Sequence, residues 1–339
     1  MKNKYLIIII ILLGSFAAYK YFTQSKSTIK PERKDFAVKD TAAITKIFLA
    51  NKNGKNITLA RSSKSNWLVN GQYKARRDLV KVLLKTIHSI EVKSPVAKAA
   101  RENVIKRLAS GATKVEIYTH DKEPTKVYYI GGATQNTMGT YMLLENSSEP
   151  FVIHLPYFYG YLTTRYTTDI HQWRGKTVIS LAFKDIKKVQ IKYPAVPEQS
   201  FSITNKGDWS YELKALSSDS IIKNYDSTAL KIYLTGFKNI QFEGFEQKIT
   251  KAAKDSIFNS IPVNIFICQG VNGEEVVMKS YLKPDSEDRV DIDGKPIIYD
   301  VDRMYARINN TNDLVTIQYF VFDELFLGLS NFLKTKDKI

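Results

Sequence analysis

The segment DSEDRVDIDGKPIIYDVD, residues 285–302, contains the densest group of side chains that could bind a metal ion. Its carboxylates could coordinate calcium, and DRVDIDG resembles part of a calcium-binding loop. When Asp291, Asp293 and Gly294 are placed at loop positions 3, 5 and 6, Arg289 occupies position 1, where a carboxylate is required. No helix is predicted on either side, and Asp-Gly between strands is typical of a hairpin turn. The sequence therefore favours an acidic hairpin over a calcium site.

The pair Arg76 and Arg77 could bind an anion or a partner, because it directly precedes a predicted helix. A helix N-terminus attracts negative charge, and guanidinium groups form charge-assisted hydrogen bonds with carboxylates and phosphates. Arg165, which lies among aromatic residues, is a third candidate for this role. The alternative is that these arginines are solvated and form surface salt bridges.

An aromatic-rich segment has the composition of a protein interface. Its members are Tyr157, Phe158, Tyr159, Tyr161 and Tyr166. Among them, Tyr157, Tyr159 and Tyr161 are candidate interface residues. Because Tyr319, Phe320 and Phe322 recur at equivalent places later in the chain, packing against a sheet is the simpler explanation.

No catalytic motif is recognisable, so the chain is predicted not to be an enzyme and to need no cofactor. Cys268 is the only cysteine and lies in an apolar run, which favours a buried thiol over a nucleophile. The four histidines have no ligand spacing. Gly131 and Gly132 predict a turn between two strands rather than a phosphate-binding loop, because no helix follows them.

The N-terminus predicts a membrane anchor over residues 1–22. The segment Leu6–Ala18 is an uncharged run of thirteen residues that follows the basic head MKNK. With its aromatic flanks it is long enough to span a bilayer, provided that Lys20 snorkels. A cleaved signal peptide is the alternative. Residues 23–40 are polar, contain Pro31 and are predicted to form a spacer.

The charges around the apolar run predict the orientation of the chain in the cytoplasmic membrane. The basic head favours a cytoplasmic N-terminus, which places the bulk of this single-pass chain on the periplasmic side. The opposing indication is a group of basic residues after the run: Lys20, Lys26, Lys30, Arg33 and Lys34.

The net charge of +16 is concentrated in the first half of the chain. Residues 36–175 have 21 basic and 10 acidic side chains, whereas residues 176–339 have 22 of each. A basic surface near anionic lipid headgroups is attracted to them. Nucleic acid is the other usual partner of a basic domain, but a periplasmic location and the lack of an RNA-binding motif argue against it. We therefore expect membrane lipid as a partner, through the N-terminal helix, and no nucleic acid.

An internal repeat organises the rest of the chain. The segment MYARINNTNDLVTIQYFVFDEL, residues 304–325, resembles YMLLENSSEPFVIHLPYFYGYL, residues 141–162. Upstream, the segment from Ile44 resembles the segment from Ile186, and apolar residues at every second position indicate strands in both. The corresponding pairs are Ile47 with Val189, Leu49 with Ile191, and Trp67 with Trp209.

Each copy also contains two predicted helices. The first helix has an apolar stripe at helical spacing. The stripe comprises Leu79, Val80, Leu83, Leu84, Ile87 and Ile90 in one copy and Ala229, Leu230, Tyr233, Leu234, Phe237 and Ile240 in the other. Asp78 is the predicted N-cap of the earlier helix. The second helices begin near Lys98 and Lys251.

The order of strands, helices and strands is typical of an α+β unit with a mostly antiparallel sheet. The sequence therefore predicts an N-terminal transmembrane anchor followed by two tandem duplicated α+β units. The predicted boundaries are residues 41–165 for the first unit, 166–183 for a connection, 184–330 for the second unit and 331–339 for a polar tail.

The stretch WLVNGQYKARRDLVKVLLKTIHSIEVKSPVAKAA, residues 67–100, resembles the family called domain of unknown function 4340. YYIGGATQNTMGTYML and EPFVIHLPYFYGYL add to this resemblance, which extends over most of residues 44–330. It implies a membrane-anchored envelope protein, with related domains in auxiliary proteins of gliding-associated ABC transport systems. The family has no established activity, so the resemblance assigns no role to individual residues.

These observations predict a membrane-anchored, non-enzymatic envelope protein. It would act as an accessory or scaffold subunit of a membrane complex, of ABC-transport or gliding type, with a membrane or envelope protein as partner. The alternative is a ligand-binding module for an anionic glycan or lipid headgroup.

Overall fold

The computed structural model describes Ser15 and residues 34–120, 122–287 and 289–334. The chain divides into two compact units, Met1–Gly175 and Lys176–Ile339. Apart from Ser15, the predicted anchor lies outside the described residues. Within the described residues, no helix has both the length and the apolar character needed to cross a membrane.

The first unit contains a nine-stranded antiparallel sheet. Its strands are β1 (Lys46–Ala50), β2 (Asn56–Arg61), β3 (Trp67–Val69), β4 (Tyr73–Lys74), β5 (Glu91–Pro95), β6 (Thr113–Tyr118), β7 (Lys126–Ala133), β8 (Thr140–Leu144) and β9 (Phe151–His154). They are ordered β4-β3-β2-β1-β6-β7-β8-β9-β5. On β1, Ile47 and Leu49 pair with Leu59 and Ile57 of β2, and all four side chains are buried. The period-two pattern therefore places one apolar face of the sheet against the core.

Within residues 34–175, apart from the undescribed residue 121, the structure shows three α-helices: α1 (Arg77–Ser89), α2 (Lys98–Gly111) and α3 (Ile170–Trp173). Helix α1 buries Val80, Leu83 and Ile87, as its apolar stripe predicts. The predicted N-cap was wrong: Arg76 is the N-cap, and Asp78 lies in the first turn. A carboxylate there still interacts favourably with the positive end of the helix dipole.

Gly131 and Gly132 lie inside β7, so the predicted turn was wrong. Helix α2 packs over this strand through Leu108. A Cβ atom on Gly131 would lie 2.6 Å from Leu108 Cδ2 and 3.2 Å from the carbonyl oxygen of Tyr141. The glycine therefore permits the close approach of the helix to the sheet.

The second unit contains another nine-stranded antiparallel sheet and a separate two-stranded sheet, β10 with β15. The strands are β10 (Thr177–Ile179), β11 (Ile186–Lys192), β12 (Phe201–Gly207), β13 (Ser210–Ala215), β14 (Ser220–Ile222), β15 (Ile240–Gln241), β16 (Gly244–Phe245), β17 (Asn264–Gly270), β18 (Glu275–Pro284), β19 (Tyr299–Ile308) and β20 (Val315–Gln318). The large sheet is ordered β14-β13-β12-β11-β17-β18-β19-β20-β16. The helices are α4 (Ser227–Thr235), α5 (Lys251–Asn259) and α6 (Tyr319–Phe322).

The two large sheets have the same strand order when β1–β4 are equated with β11–β14, β6–β9 with β17–β20, and β5 with β16. Register fixes the equivalence residue by residue. Ile47 pairs with Leu59 and Ile117, and Val189 pairs with Ile203 and Cys268 at the corresponding places.

The same register corrects one predicted pair. Leu59 opposes Val69, and the equivalent Ile203 opposes Leu213, so Trp67 corresponds to Tyr211 and not to Trp209. Trp209 lies in the β12–β13 turn with φ of 59°. Trp67 is buried, whereas Trp209 is 69% exposed.

Several predicted segment boundaries do not coincide with the limits of the two hydrophobic cores. Phe36 is buried in the first core and contacts Phe151, so part of the predicted spacer belongs to the first unit. The predicted connection is divided between the units, with Trp173 in one core and Val178 in the other. Phe332 of the predicted polar tail is fully buried in the second core. In each case an apolar residue next to a polar stretch joins the nearest core.

Candidate functional site

A basic groove lies between helix α1 and the β2–β3 hairpin of the first unit. Its volume is about 530 Å³. Its lining consists of Thr41, Arg61, Lys64, Ser65, Trp67, Ala75, Arg77, Val80, Lys81, Leu84, Lys85 and His88. No acidic side chain is among these described residues, so the groove combines positive charge with an apolar floor.

Helix periodicity explains how α1 supplies both the positive charge and the apolar floor of the groove. Arg77, Lys81 and Lys85 follow one another at intervals of four residues, which aligns them in one row on the helix surface. Val80 and Leu84 form the neighbouring row and line the groove floor. Leu83, on a further face, is buried in the core and holds the helix against the sheet.

Arg61 and Trp67 form a fixed wall of the groove. The guanidinium carbon of Arg61 lies 4.6 Å from the Trp67 ring centroid, a cation–π arrangement. Arg61 also donates hydrogen bonds to the carbonyl oxygens of Ile44 at 2.7 Å, Thr41 at 2.9 Å and Lys64 at 3.1 Å. These bonds restrain the side chain, so Arg61 contributes charge without being free to move.

The other cations of the groove have no carboxylate partner among the residues that the structure describes. Arg77 donates to the amide oxygen of Asn66 at 2.6 Å. The amino groups of Lys64, Lys81 and Lys85 form no ion pair within the part of the chain that the structure describes. Like charges four residues apart on a helix repel each other. An anion bound in the groove would relieve that repulsion and form charge-assisted hydrogen bonds.

Arg76 does not line this groove. Its guanidinium donates to the Asp78 carboxylate at 3.2 Å and 2.5 Å. The hydrogen bonds from Arg76 lower the pKa of the Asp78 carboxyl, and the two side chains satisfy each other. Of the predicted pair, the structure therefore brings only Arg77 to the groove.

Arg165 lies at the end of a 3-10 turn, Thr163–Tyr166, and also outside the groove lining. It donates to the hydroxyl of Thr86 on α1 at 2.8 Å and lies over the ring of Phe158 at 4.4 Å. Burial lowers the pKa of its guanidinium from the usual value. Arg165 therefore ties the aromatic segment to helix α1.

The predicted interface aromatics are exposed, against the simpler expectation that they pack on a sheet. Tyr157 is 102% exposed, Tyr159 is 82% exposed and Tyr161 is 41% exposed. In the second unit Phe320 is 93% exposed, whereas Phe322 is fully buried. Recurrence of aromatic residues along the repeat therefore does not give them the same environment.

The acid-rich segment forms a hairpin, as predicted, with Val290 bridged to Pro296. Basic residues lie among its carboxylates: Arg289 donates to Asp285 at 2.6 Å, and Lys283 pairs with Asp300 at 2.8 Å. In the described ranges, no group of three or more His, Cys, Asp or Glu side chains is arranged to hold a metal ion.

The sequence reasoning missed most of the groove. Lys64, Lys81 and Lys85 are not among the predicted site residues, although Arg77, Lys81 and Lys85 form a row of cations at a spacing of four. That row, with no acidic residue four positions away, was the available signal. The contribution of the β2–β3 hairpin could not be inferred, since it depends on how the helix packs against the sheet.

A family model described as a domain of unknown function, DUF4340, matches residues 67–257, more than half of the chain. The chain belongs to the DUF4340 family. The DUF4340 match begins at β3 and ends in α5, so it crosses the boundary between the two units. Searches of curated proteins and of solved structures found no significant match.

The matched region contains the helical side of the groove. Arg77, Val80, Lys81, Leu84 and Lys85 all lie within it. Arg61 and Lys64 precede the match, so the hairpin side of the groove lies partly outside the region that defines the family.

Proposed function

We propose that this chain is a membrane-anchored, non-enzymatic protein of the cell envelope whose first unit binds an anionic glycan or lipid headgroup. The observation that carries the proposal is the groove beside α1. It combines an apolar floor with lysines that have no carboxylate partner in the described part of the chain. Such a surface suits a ligand with negative charge and some apolar character.

The N-terminal sequence supports the proposed location. Leu6–Ala18 is uncharged and follows a basic head, which is typical of a signal anchor. The anchor would hold the basic first unit on the periplasmic side of the cytoplasmic membrane. Anionic headgroups would then be at high local concentration near the groove.

The single thiol is not a candidate nucleophile. Cys268 is fully buried, and burial raises the pKa of its thiol to about 12. Since the thiolate is the nucleophilic form, this side chain is poorly suited to covalent catalysis.

The proposal is tested by titrating the full-length protein, held in a neutral detergent, with soluble anions. The probes are glycerophosphoglycerol, which is a lipid headgroup without acyl chains, and an acidic oligogalacturonide. A neutral oligosaccharide is the control. Saturable calorimetric binding of either anion, weakened by added salt, is the expected result. If neither anion binds at low salt, the proposed ligand class is wrong.

A second candidate function, that of accessory subunit in a membrane complex, is favoured by the acidic hairpin, residues 285–302. Three of its apolar side chains are exposed: Val290 is 59% exposed, Ile292 103% and Ile298 71%. Exposed apolar residues rimmed by carboxylates suit a protein surface with an apolar centre and a basic rim. Transport and gliding systems are the class that the sequence resemblance suggests.

Site-specific photocrosslinking in intact cells tests this second function. A photoreactive residue replaces Ile292, and the control replaces Ile261, which is 81% exposed in the same unit. A partner subunit that crosslinks reproducibly from position 292 but not from position 261 is expected. Equal or absent crosslinking at the two positions would remove the support that the hairpin gives.

A further inference from the structure

We infer that the aromatic loop, residues 156–161, docks into the interfacial region of an anionic bilayer. This inference rests on the proposed membrane anchoring and adds the surface through which the first unit contacts lipid. The bilayer is then the partner that covers the exposed aromatic side chains.

The aromatic loop is held in an exposed conformation by its own ends. Leu155 and Leu162, which flank it, are buried in the first core. Tyr157 has φ of 62°, a left-handed conformation that aromatic residues rarely adopt. Phe158 N–H donates to the carbonyl oxygen of Leu155 at 3.2 Å, which closes the turn. Strained residues of this kind persist where the surrounding structure fixes them, often at functional sites.

The composition of the loop suits the boundary between lipid and water. Tyr157 and Tyr159 each present an apolar ring with a polar hydroxyl, and both are more than four-fifths exposed. Tyrosine is enriched at this boundary because one end of the side chain is apolar and the other is hydrated.

The segment by which the chain enters the first unit and the aromatic loop are both linked to the last turn of α1. Near the entry, Val38 N–H donates to the carbonyl oxygen of Ile87 at 3.1 Å, and His88 Nδ1 lies 2.8 Å from the carbonyl oxygen of Lys39. On the loop side, Arg165 reaches Thr86 at 2.8 Å while it covers Phe158. Residues 86–88 are consecutive on α1. The tethered end of the unit therefore contacts the same helical turn to which Arg165 links the aromatic loop.

The segment between the predicted anchor and the first unit is short enough for the aromatic loop to reach the bilayer. Eleven residues, 23–33, separate the predicted anchor from Lys34, where the continuous described part of the first unit begins. As a flexible chain they would span ~20 Å, and fully extended at most ~40 Å. A tether of this length keeps the loop close to the bilayer and raises its effective concentration there.

The positive charge of the first unit favours a bilayer that contains anionic lipids. Lys85 and His88, at the same end of α1, line the basic groove. Residues 36–175 have a surplus of eleven positive charges, from 21 basic and 10 acidic side chains. Headgroups bearing negative charge would be attracted to this end of the unit while the tyrosines contact the acyl boundary.

The experiment uses the full-length chain reconstituted into vesicles that contain nitroxide-labelled lipid. A fluorophore is attached at Tyr159→Cys, with Tyr157→Cys as a second reporter and Asn53→Cys as an exposed control in the β1–β2 turn. Cys268 is buried and should remain unlabelled. The vesicles are phosphatidylcholine alone or with phosphatidylglycerol.

Several-fold stronger quenching at positions 157 and 159 than at position 53 is expected, increasing when phosphatidylglycerol is added. Protein that floats with the vesicles but is quenched equally at all three positions would overturn the inference and leave the anchor intact. Protein that fails to float with the vesicles would overturn the anchoring and this inference together. The calorimetric titration with soluble anions is a separate test. If no anion binds there but the loop positions are still quenched, only the proposed function of the groove is rejected.

Discussion

Tyr128 and Tyr166 are both buried in the first unit, with their hydroxyl oxygens 3.4 Å apart. Their rings meet edge to face at 6.2 Å. Tyr128 belongs to β7, an interior strand of the sheet, and Tyr166 ends the 3-10 turn that also contains Arg165. The pair therefore attaches the segment that follows the aromatic loop to the sheet.

We expect Tyr128→Phe and Tyr166→Phe each to lower the free energy of unfolding by ~1 kcal/mol, because each leaves a buried hydroxyl without its partner. The double variant should lose less than the sum of the two single losses, since it removes both hydroxyls. Urea unfolding followed by fluorescence measures the three changes. Strictly additive losses would show that the hydroxyls do not interact.

The thiol of Cys268 should be unreactive in the folded protein. Burial raises its pKa to about 12, so the thiolate is scarce at pH 8 and a reagent cannot reach it. We expect no reaction with Ellman's reagent in buffer and release of one equivalent in urea. Rapid reaction of the native protein would mean that β17 opens or that the thiol is accessible.

The Arg76–Asp78 pair predicts a small dependence of stability on pH. The hydrogen bonds from Arg76 lower the pKa of the Asp78 carboxyl below its ordinary value of ~3.9. The stabilisation is therefore present above that ordinary value and is lost as the pH falls through the lowered pKa. Because Asp78 is 62% exposed, the contribution should stay below ~1 kcal/mol.

The matched variant for this pair is Asp78→Asn. At pH 6 it should unfold at a slightly lower temperature than the natural protein. The difference should shrink as the pH falls through the lowered pKa of Asp78, because the natural carboxyl then becomes protonated as well. A difference that grows at low pH would contradict the assignment.

Gly131→Ala should destabilise the first unit by ~1–3 kcal/mol, because the added methyl group overlaps Leu108 of α2 and crowds the carbonyl of Tyr141. Gly111→Ala, at the end of the same helix, is the control, since a Cβ atom there meets nothing within 4 Å. Thermal unfolding of both variants measures the contrast. Equal stabilities would show that α2 moves away from the sheet without cost.

The antiparallel α+β character could be predicted from the sequence because apolar residues, which become buried, alternate with polar ones along the strands. Ile47 and Leu49 were paired correctly with Val189 and Ile191, as the sheet register confirms. The predicted equivalence of Trp67 and Trp209 is wrong because it rests on aromatic identity, whereas the strand register makes Tyr211 the equivalent residue. Trp209 occupies a tight turn with positive φ, a constraint that identity matching does not detect.

The candidate site was harder to predict from the sequence than the fold. Arg76 and Arg77 are neighbours in sequence, yet Asp78 engages only the first of them. The row of Arg77, Lys81 and Lys85 could have been read from helical spacing. Its meeting with Trp67 and Arg61 depends on the packing of a helix beside a hairpin, which a periodic pattern does not specify.

The central claim, that the groove beside α1 binds an anion, is tested most directly by a pair of matched charge reversals. Lys81→Glu with Lys85→Glu alters the groove, and Lys52→Glu with Lys55→Glu makes the same change in net charge at the β1–β2 turn. Affinity for glycerophosphoglycerol or the oligogalacturonide is measured by calorimetry. We predict a loss of about tenfold or more, ~1.4 kcal/mol, for the groove variant and little change for the other. Equal losses in the two variants would show that net charge, and not the groove, attracts the anion.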